Sequence, residues 1–191
     1  MLTESSQVAL QVAQVFEQLG IRYAIGGSLA TAVHGVMRAT MDADIVADLQ
    51  PEHAAPLVQA LGAAFFADLP AINQAIRDRT SFNLLHLETM FKVDVFVAQE
   101  RSLDEAQLAR RRQHKLSAAD TADVYVITAE DIILAKLEWY RLGGHVSDRQ
   151  WQDVLGVLAV QAGKLDIDYL HRMADEIGIV SLLDKALSES H

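Results

Sequence analysis

The sequence predicts an α+β protein, a mixed sheet with flanking helices followed by a C-terminal helical region, and three observations carry that expectation. Short β-rich runs alternate with helix-spaced apolar residues as far as residue 127. Beyond that point the strand pattern stops and apolar residues recur only at helical spacing. A chain of 191 residues, 51% hydrophobic, suffices for one good-sized core with a helical annex. Only three prolines occur and no Gly/Ser-rich stretch marks a flexible linker, so the expected division is a sheet-bearing core at 1–127 and a helical region at 128–191.

Each element follows from local pattern. Val8, Val12, Val15, Phe16 and Leu19 fall at helical spacing behind Ser5 and Ser6, which suit a cap, and Gly20 supplies the stop. Residues 21–25 form a short strand. Gly26-Gly27-Ser28 turns it into a short helix carrying Leu29, Ala32 and Val33 and ending near Gly35. Residues 41–47 are a second strand, and Pro51 suits the first turn of a helix over 52–61. Residues 82–87 and 91–98 read as a hairpin, and 110–116 and 123–127 as two further strands. Thr128-Ala129-Glu130-Asp131 resembles a capping box and opens a helix with Ile132, Ile133, Leu137 and Tyr140. Three more helices are marked by Trp151 to Leu158, by Leu170, Met173 and Ile177, and by Leu182, Leu183 and Leu187.

Composition narrows the function classes. With no cysteine, the chain has no disulfide, thiolate metal site or thiol nucleophile, which suits a reducing, cytoplasmic setting. The first twenty residues have neither a basic leader nor a continuous apolar run, so no signal peptide or membrane span is expected. A formal charge of −10 argues against a broad nucleic-acid footprint, because phosphate binding needs clustered Lys and Arg. The one basic run, Arg110 to Lys115, reads as a solvated face. Nothing in the sequence supplies a P-loop, a serine-esterase elbow or a zinc spacing among its histidines. Residue His34 reads as a packing residue, and Trp139, Tyr140 and Trp151 read as core on helical stripes.

Three aspartates stand out against this background. Asp42 and Asp44 lie two apart on a strand and therefore project from one face, where their repulsion calls for a compensating cation. Hard carboxylate oxygens on a rigid strand suit Mg²⁺ or Mn²⁺ bridging to phosphates. Asp94 sits inside the apolar run Phe91-Lys92-Val93-Asp94-Val95-Phe96-Val97, where a charge has no packing reason to be. On a neighbouring strand it would complete a three-carboxylate cluster able to hold two metals, and it is the natural general base. Gly26, Gly27 and Ser28 lie between a strand and a helix, where glycine permits close approach and backbone N–H groups face a phosphate. Ser28 has two roles open to it, contact with the triphosphate or capping of the helix.

Together, Gly26-Gly27-Ser28, His34-Gly35, Arg38-Ala39-Thr40, Asp42-Ala43-Asp44 and the later Asp94 resemble the motifs of polymerase-beta-type nucleotidyltransferases. The branch most similar is that of small bacterial AbiEii-like abortive-infection toxins. The likeness is tight over 21–47 and looser to residue 98. It implies a nucleotidyltransferase fold, with the triphosphate of an NTP substrate held at Gly27 and Ser28. By the same likeness Asp42 and Asp44 ligate both metals, while Asp94 ligates one and promotes attack. Arg38 either neutralises phosphate charge or pairs with a neighbouring aspartate, and Thr40 favours the strand. Lys136 resembles a lysine that abortive-infection enzymes place on a helix facing the cleft, and residues 147–153 resemble an Arg-Asp motif in altered order.

The implied reaction is metal-assisted transfer of a nucleoside monophosphate from NTP to an acceptor that is RNA, protein or a small molecule. The resemblance adds a toxin or phage-defence role with an antitoxin protein as partner. Two rivals accompany it: an inactive nucleotide-binding regulatory module of the same fold, and an antibiotic-modifying nucleotidyltransferase, whose cationic acceptor the acidic surface would suit.

Overall fold

In the computed structural model, residues 3–36, 40, 42–116 and 122–190 are described. The spaced valines of the N-terminal run form helix α1 (Thr3–Gln18), which buries Val8, Val12 and Phe16. Strand β1 (Tyr23–Ile25) then runs directly into helix α2 (Gly27–Val33), and strand β2 (Asp42–Ala47) follows. Pro51 opens a 3-10 turn (Pro51–His53) that feeds helix α3 (Ala54–Leu61), so the helix expected over 52–61 has a tighter first turn. Two elements beyond those expected come next, the short strand β3 (Phe65–Ala67) and helix α4 (Leu69–Asp78), which buries Ile72 and Ile76. The expected hairpin is present as β4 (Ser81–His86) and β5 (Phe91–Val97).

The basic run departs from expectation. Arg110 ends helix α5 (Ser102–Arg110), and only β6 (Arg112–His114) remains of the strand expected over 110–116. Nor is the run a solvated face throughout. The Arg110 guanidinium lies 3.7 Å from the centre of the Tyr169 ring and that of Arg111 lies 4.5 Å from Tyr125, so aromatic faces take two of these cations. After β7 (Val124–Val126) the chain is helical, as expected: α6 (Ala129–Leu142), α7 (Asp148–Val160), α8 (Ile167–Glu176) and α9 (Val180–Glu189). The Thr128 hydroxyl accepts from the Asp131 backbone N–H and donates to Asp131 Oδ2, so Thr128 caps α6 with one half of the expected box, the Asp131 carboxylate meeting the hydroxyl instead of the Thr128 backbone N–H.

Among the described residues one sheet forms, in the order β3-β4-β5-β2-β1-β7-β6. Its middle is mixed: β2 runs parallel to β5 and antiparallel to β1, while β4 runs antiparallel to β5. Alternation then divides the sheet into two faces. Ala43, Ile45, Ala47, Val93, Val95 and Val97 are buried toward the core, and the intervening side chains of β2 and β5 face the other way. Helix α6 reaches α2, α5, α7 and α8. The Tyr169 hydroxyl on α8 donates to Asp131 Oδ1 on α6, and Trp151 on α7 donates to Glu189 on α9 at 2.8 Å, so polar anchors tie the helical half together. Among the described residues, no helix is long and apolar enough to cross a membrane.

Candidate active site

The second face of the sheet carries the charges. In register, Asp42 lies beside Lys92, Asp44 beside Asp94, and Val46 beside Phe96. Cross-strand neighbours share a face, so β2 and β5 together present a ladder of three rungs, the first two ionic and the third apolar. The same face continues onto β4, where Asn83 pairs with Asp94 and Ser81 with Phe96. Asp42, Asp44 and Asp94 are thus brought onto one face of adjacent strands.

Their electrostatics follow from that placement. Burial pushes the Asp44 carboxyl up to about 6, and the charges of Asp42 and Asp94 push in the same direction. Lys92 Nζ lies 2.6 Å from Asp94 Oδ2, and this bond holds its ammonium above the usual lysine range. The Thr40 hydroxyl lies 3.0 Å from Asp42 Oδ1, so this residue touches the site as well as preceding the strand. Among the described residues no three His, Asp or Glu side chains are gathered as a ready-made ion site. The donor set nevertheless has the chemistry of one: hard oxygens under mutual repulsion, with Asp44 driven toward its neutral form by burial and by the charges of Asp42 and Asp94.

The glycine turn meets Asp44 directly. Gly26 N–H donates to the Asp44 carbonyl at 2.8 Å. Gly27 is at φ 52°, and a Cβ built there would stand 1.7 Å from Asp44 Oδ2. The glycine is therefore required twice, for its backbone conformation and for the approach of the carboxylate. Replacing Gly27 by Ala is expected to destabilise by more than the roughly 1–2 kcal/mol of left-handed backbone strain alone. Gly20→Ala is the control, since Gly20 has φ 69° with nothing within 4 Å of its Cβ. Urea midpoints of the two variants measure the difference. Equal losses would mean that Asp44 does not press on the turn.

Ser28 is not the cap of α2. Gly26 occupies that position and Ser28 is the second helical residue, buried with its side chain among other groups. His34 is the packing residue expected: its Nε2 lies 2.8 Å from the Ile127 carbonyl, and burial lowers its pKa, so the neutral ring donates there. Arg38 lies outside the described residues.

A cleft of about 700 Å³ opens above this face. Gly26, Gly27, Ser28, Asp42 and Asp44 line one part of it, and α6 supplies Ala135, Lys136, Glu138 and Trp139 opposite. Lys136 is indeed on the cleft wall, but it is buried rather than splayed into solvent, with Nζ 2.8 Å from Asp153 Oδ2. Residue Trp139 overturns its expected core role. It is 52% exposed and tilts against Phe96 with ring centroids 6.0 Å apart, whereas Trp151 is buried as expected. Helical spacing placed both on apolar stripes; the stripe at Trp139 faces the cleft.

Further cleft residues carry no motif at all. Arg101 bonds Asp104 Oδ1 at 2.9 Å and Glu138 Oε1 at 2.8 Å, with both carboxylates buried. Asp104 Oδ2 in turn accepts from the Gln99 backbone N–H at 2.8 Å. Only the isolated Asp104 and Glu138 in amphipathic helices hint at this network in the sequence.

No family model matches the chain, and no curated protein matches it by sequence. Solved structures do match in shape. The antibiotic-resistance factor ANT(2'')-Ia, in its solution structure, is 14% identical with a TM-score of 0.61, covering 97% of this chain and 98% of that one. An antigenic nucleotidyltransferase-like protein from Paracoccidioides brasiliensis is 17% identical with a TM-score of 0.59, covering 97% of this chain and 93% of its own. The lincosamide antibiotic adenylyltransferase LnuA, bound to lincomycin, is 15% identical with a TM-score of 0.51, covering 83% of this chain and 98% of its own. At such identities the likeness is one of architecture, and the chain has the nucleotidyltransferase fold.

Proposed function

We propose that this protein transfers a nucleoside monophosphate from an NTP to a hydroxyl-bearing acceptor in a divalent-metal-dependent reaction. The observation that carries the reading is the pairing of Asp44 with Asp94 on one sheet face, directly beneath the Gly26-Gly27-Ser28 turn. Carboxylates forced together next to a glycine turn need positive charge and leave room for phosphate. Asp42 and Asp44 would hold Mg²⁺ or Mn²⁺, joined by Asp94. The ion, when bound, neutralises charge on the phosphates and favours the attacking oxygen.

The chain's own residues do the rest. Gly27 and Ser28 hold the triphosphate. Lys136, whose positive charge is felt at Asp44, steadies the carboxylates and faces the phosphates from the α6 wall. Asp94 takes the proton of the acceptor hydroxyl as the acceptor oxygen bonds to the α-phosphorus and the α–β bridging bond breaks, releasing pyrophosphate. Helices after residue 127 act as the second wall of the cleft, which is how we read the helical region as a unit.

A small-molecule acceptor is favoured over RNA or a protein. The formal charge of −10 opposes nucleic acid, and a cleft of about 700 Å³ is the size of a drug-like ligand site. Two of the structural neighbours are an antibiotic-resistance factor and an antibiotic adenylyltransferase, which supports the same choice.

Calorimetric titration with Mg·ATP tests the site. The parent is expected to bind, and Ser28→Asp, which sets a negative charge against the triphosphate, is expected to lose at least about tenfold in affinity. Thermal melts confirm that the variant is folded. Equal affinity in a folded Ser28→Asp protein would place the phosphates elsewhere.

A further inference from the structure

We infer that Trp139 and Phe96 form a stacking shelf for the acceptor, and that the acceptor carries a flat apolar ring close to its reactive hydroxyl; the inference rests on the transferase reading above. The sheet ladder fixes where this shelf lies. Phe96 is two residues beyond Asp94 on the same face of β5, about 6.7 Å along the strand, with Val46 beside it on β2. The floor of the cleft, lined by Asp44 on one rung and by Val46 and Phe96 on the next, therefore changes from carboxylate to hydrocarbon within one rung. Trp139 comes down from α6 onto Phe96, and half of its surface stays open. Its neighbours Lys136 and Glu138 are buried, so the exposed indole stands on a packed segment rather than at a frayed end.

Reaction geometry assigns the occupant. In an in-line displacement the attacking oxygen enters opposite the leaving group. The glycine turn that receives the pyrophosphate lies at the end of β1, on one side of β2. Strands β5 and β4 lie on the other side of β2, so the acceptor approaches over Asp94 and the Phe96 rung. The shelf has a polar edge to match. Ser81 sits beside Phe96 in register, and Arg101 is fixed in the same wall by Asp104 and Glu138. A ring stacked on Trp139 would thus keep its rim against hydroxyl and guanidinium groups while its hydroxyl reaches Asp94.

The protein has two tryptophans, so a Trp151→Phe background makes emission report Trp139 alone. The probes are 2-(2-naphthyl)ethanol, myo-inositol and Mg·ATP. Naphthylethanol is expected to quench Trp139 saturably, equally with and without saturating Mg·ATP, and myo-inositol is expected not to. By calorimetry, Trp139→Ala is expected to weaken naphthylethanol at least about tenfold, the scale of one lost stacking contact, while Trp139→Phe stays near the parent. Affinity for Mg·ATP is expected to be the same in all three proteins. Displacement of naphthylethanol by Mg·ATP, with Mg·ATP itself weakened in Trp139→Ala, would overturn the inference and put the nucleobase on the shelf. Undiminished naphthylethanol binding by Trp139→Ala would overturn it as well. Failure of the parent to bind Mg·ATP at all would sink the transferase reading, and the acceptor assignment with it.

Discussion

Asp44→Asn is expected to abolish nucleotidyl transfer while making the unliganded protein more stable at neutral pH. Activity falls because the metal loses a central anionic ligand; several kcal/mol of charge stabilisation corresponds to about a 10³-fold loss in kcat. Stability moves the other way because the folded protein holds Asp44 beside Asp42 and Asp94. Its carboxyl titrates at about 6, above its ordinary 3.8, so the folded state binds that proton more tightly than the unfolded chain. Stability therefore falls as pH rises from about 4 through about 6 and stays reduced above it. A neutral Asn is free of that penalty, a gain on the order of 1–2 kcal/mol at pH 7.5. Metal affinity has the opposite sign, since Mg²⁺ needs the carboxylate, and it should weaken below about pH 6. Urea denaturation at pH 7.5, with magnesium titrations between pH 5 and 8, checks both signs. A variant less stable than the parent at pH 7.5 would show that Asp44 is not under repulsion.

Lys136→Met is expected to have the largest cost to folding. The Lys136 and Asp153 side chains are 9% and 6% exposed and bonded at 2.8 Å, so removing one leaves the other charged inside the protein. Breaking a buried pair from one side destabilises by about 3 kcal/mol or more. The change also removes a cation that lowers the Asp44 pKa, so the pH at which magnesium affinity weakens should rise. Adding Asp153→Asn should recover part of the lost stability but none of that pH shift, because of the two partners it is Lys136 whose charge acts on Asp44. The urea midpoints of the three proteins and their magnesium titrations separate the two effects. A single variant as stable as the parent would show that the pair carries no folding energy.

Much of the candidate site was legible in residues that contradict their surroundings. Asp42, Asp44 and Asp94 were visible because carboxylates in apolar strands violate local preference, and Gly27 because the turn demands a glycine. The sheet half and the helical half were visible in the change of period after residue 127. Elements β3 and α5 were not, since three residues make no alternation and the apolar spacing of α5 is weak, whereas α4 does carry Leu69, Ile72 and Ile76 at helical spacing around Pro70 in its first turn.

The sequence by itself determined that aspartates two apart share a strand face, because side-chain alternation is a property of the single strand. It likewise determined the glycine turn and the cap at Thr128, whose partners lie within three residues. Only the tertiary structure decided that β5 lies parallel to β2 with Asp94 opposite Asp44, and that Arg101 gathers Asp104 and Glu138. The same holds for Lys136, whose ammonium has no partner legible in the sequence until α7 brings Asp153 to it, and for Trp139, whose apolar stripe faces a cleft instead of a core. Local periodicity states which residues share a face; what that face meets depends on strand order and helix packing, which couple residues far apart in the chain.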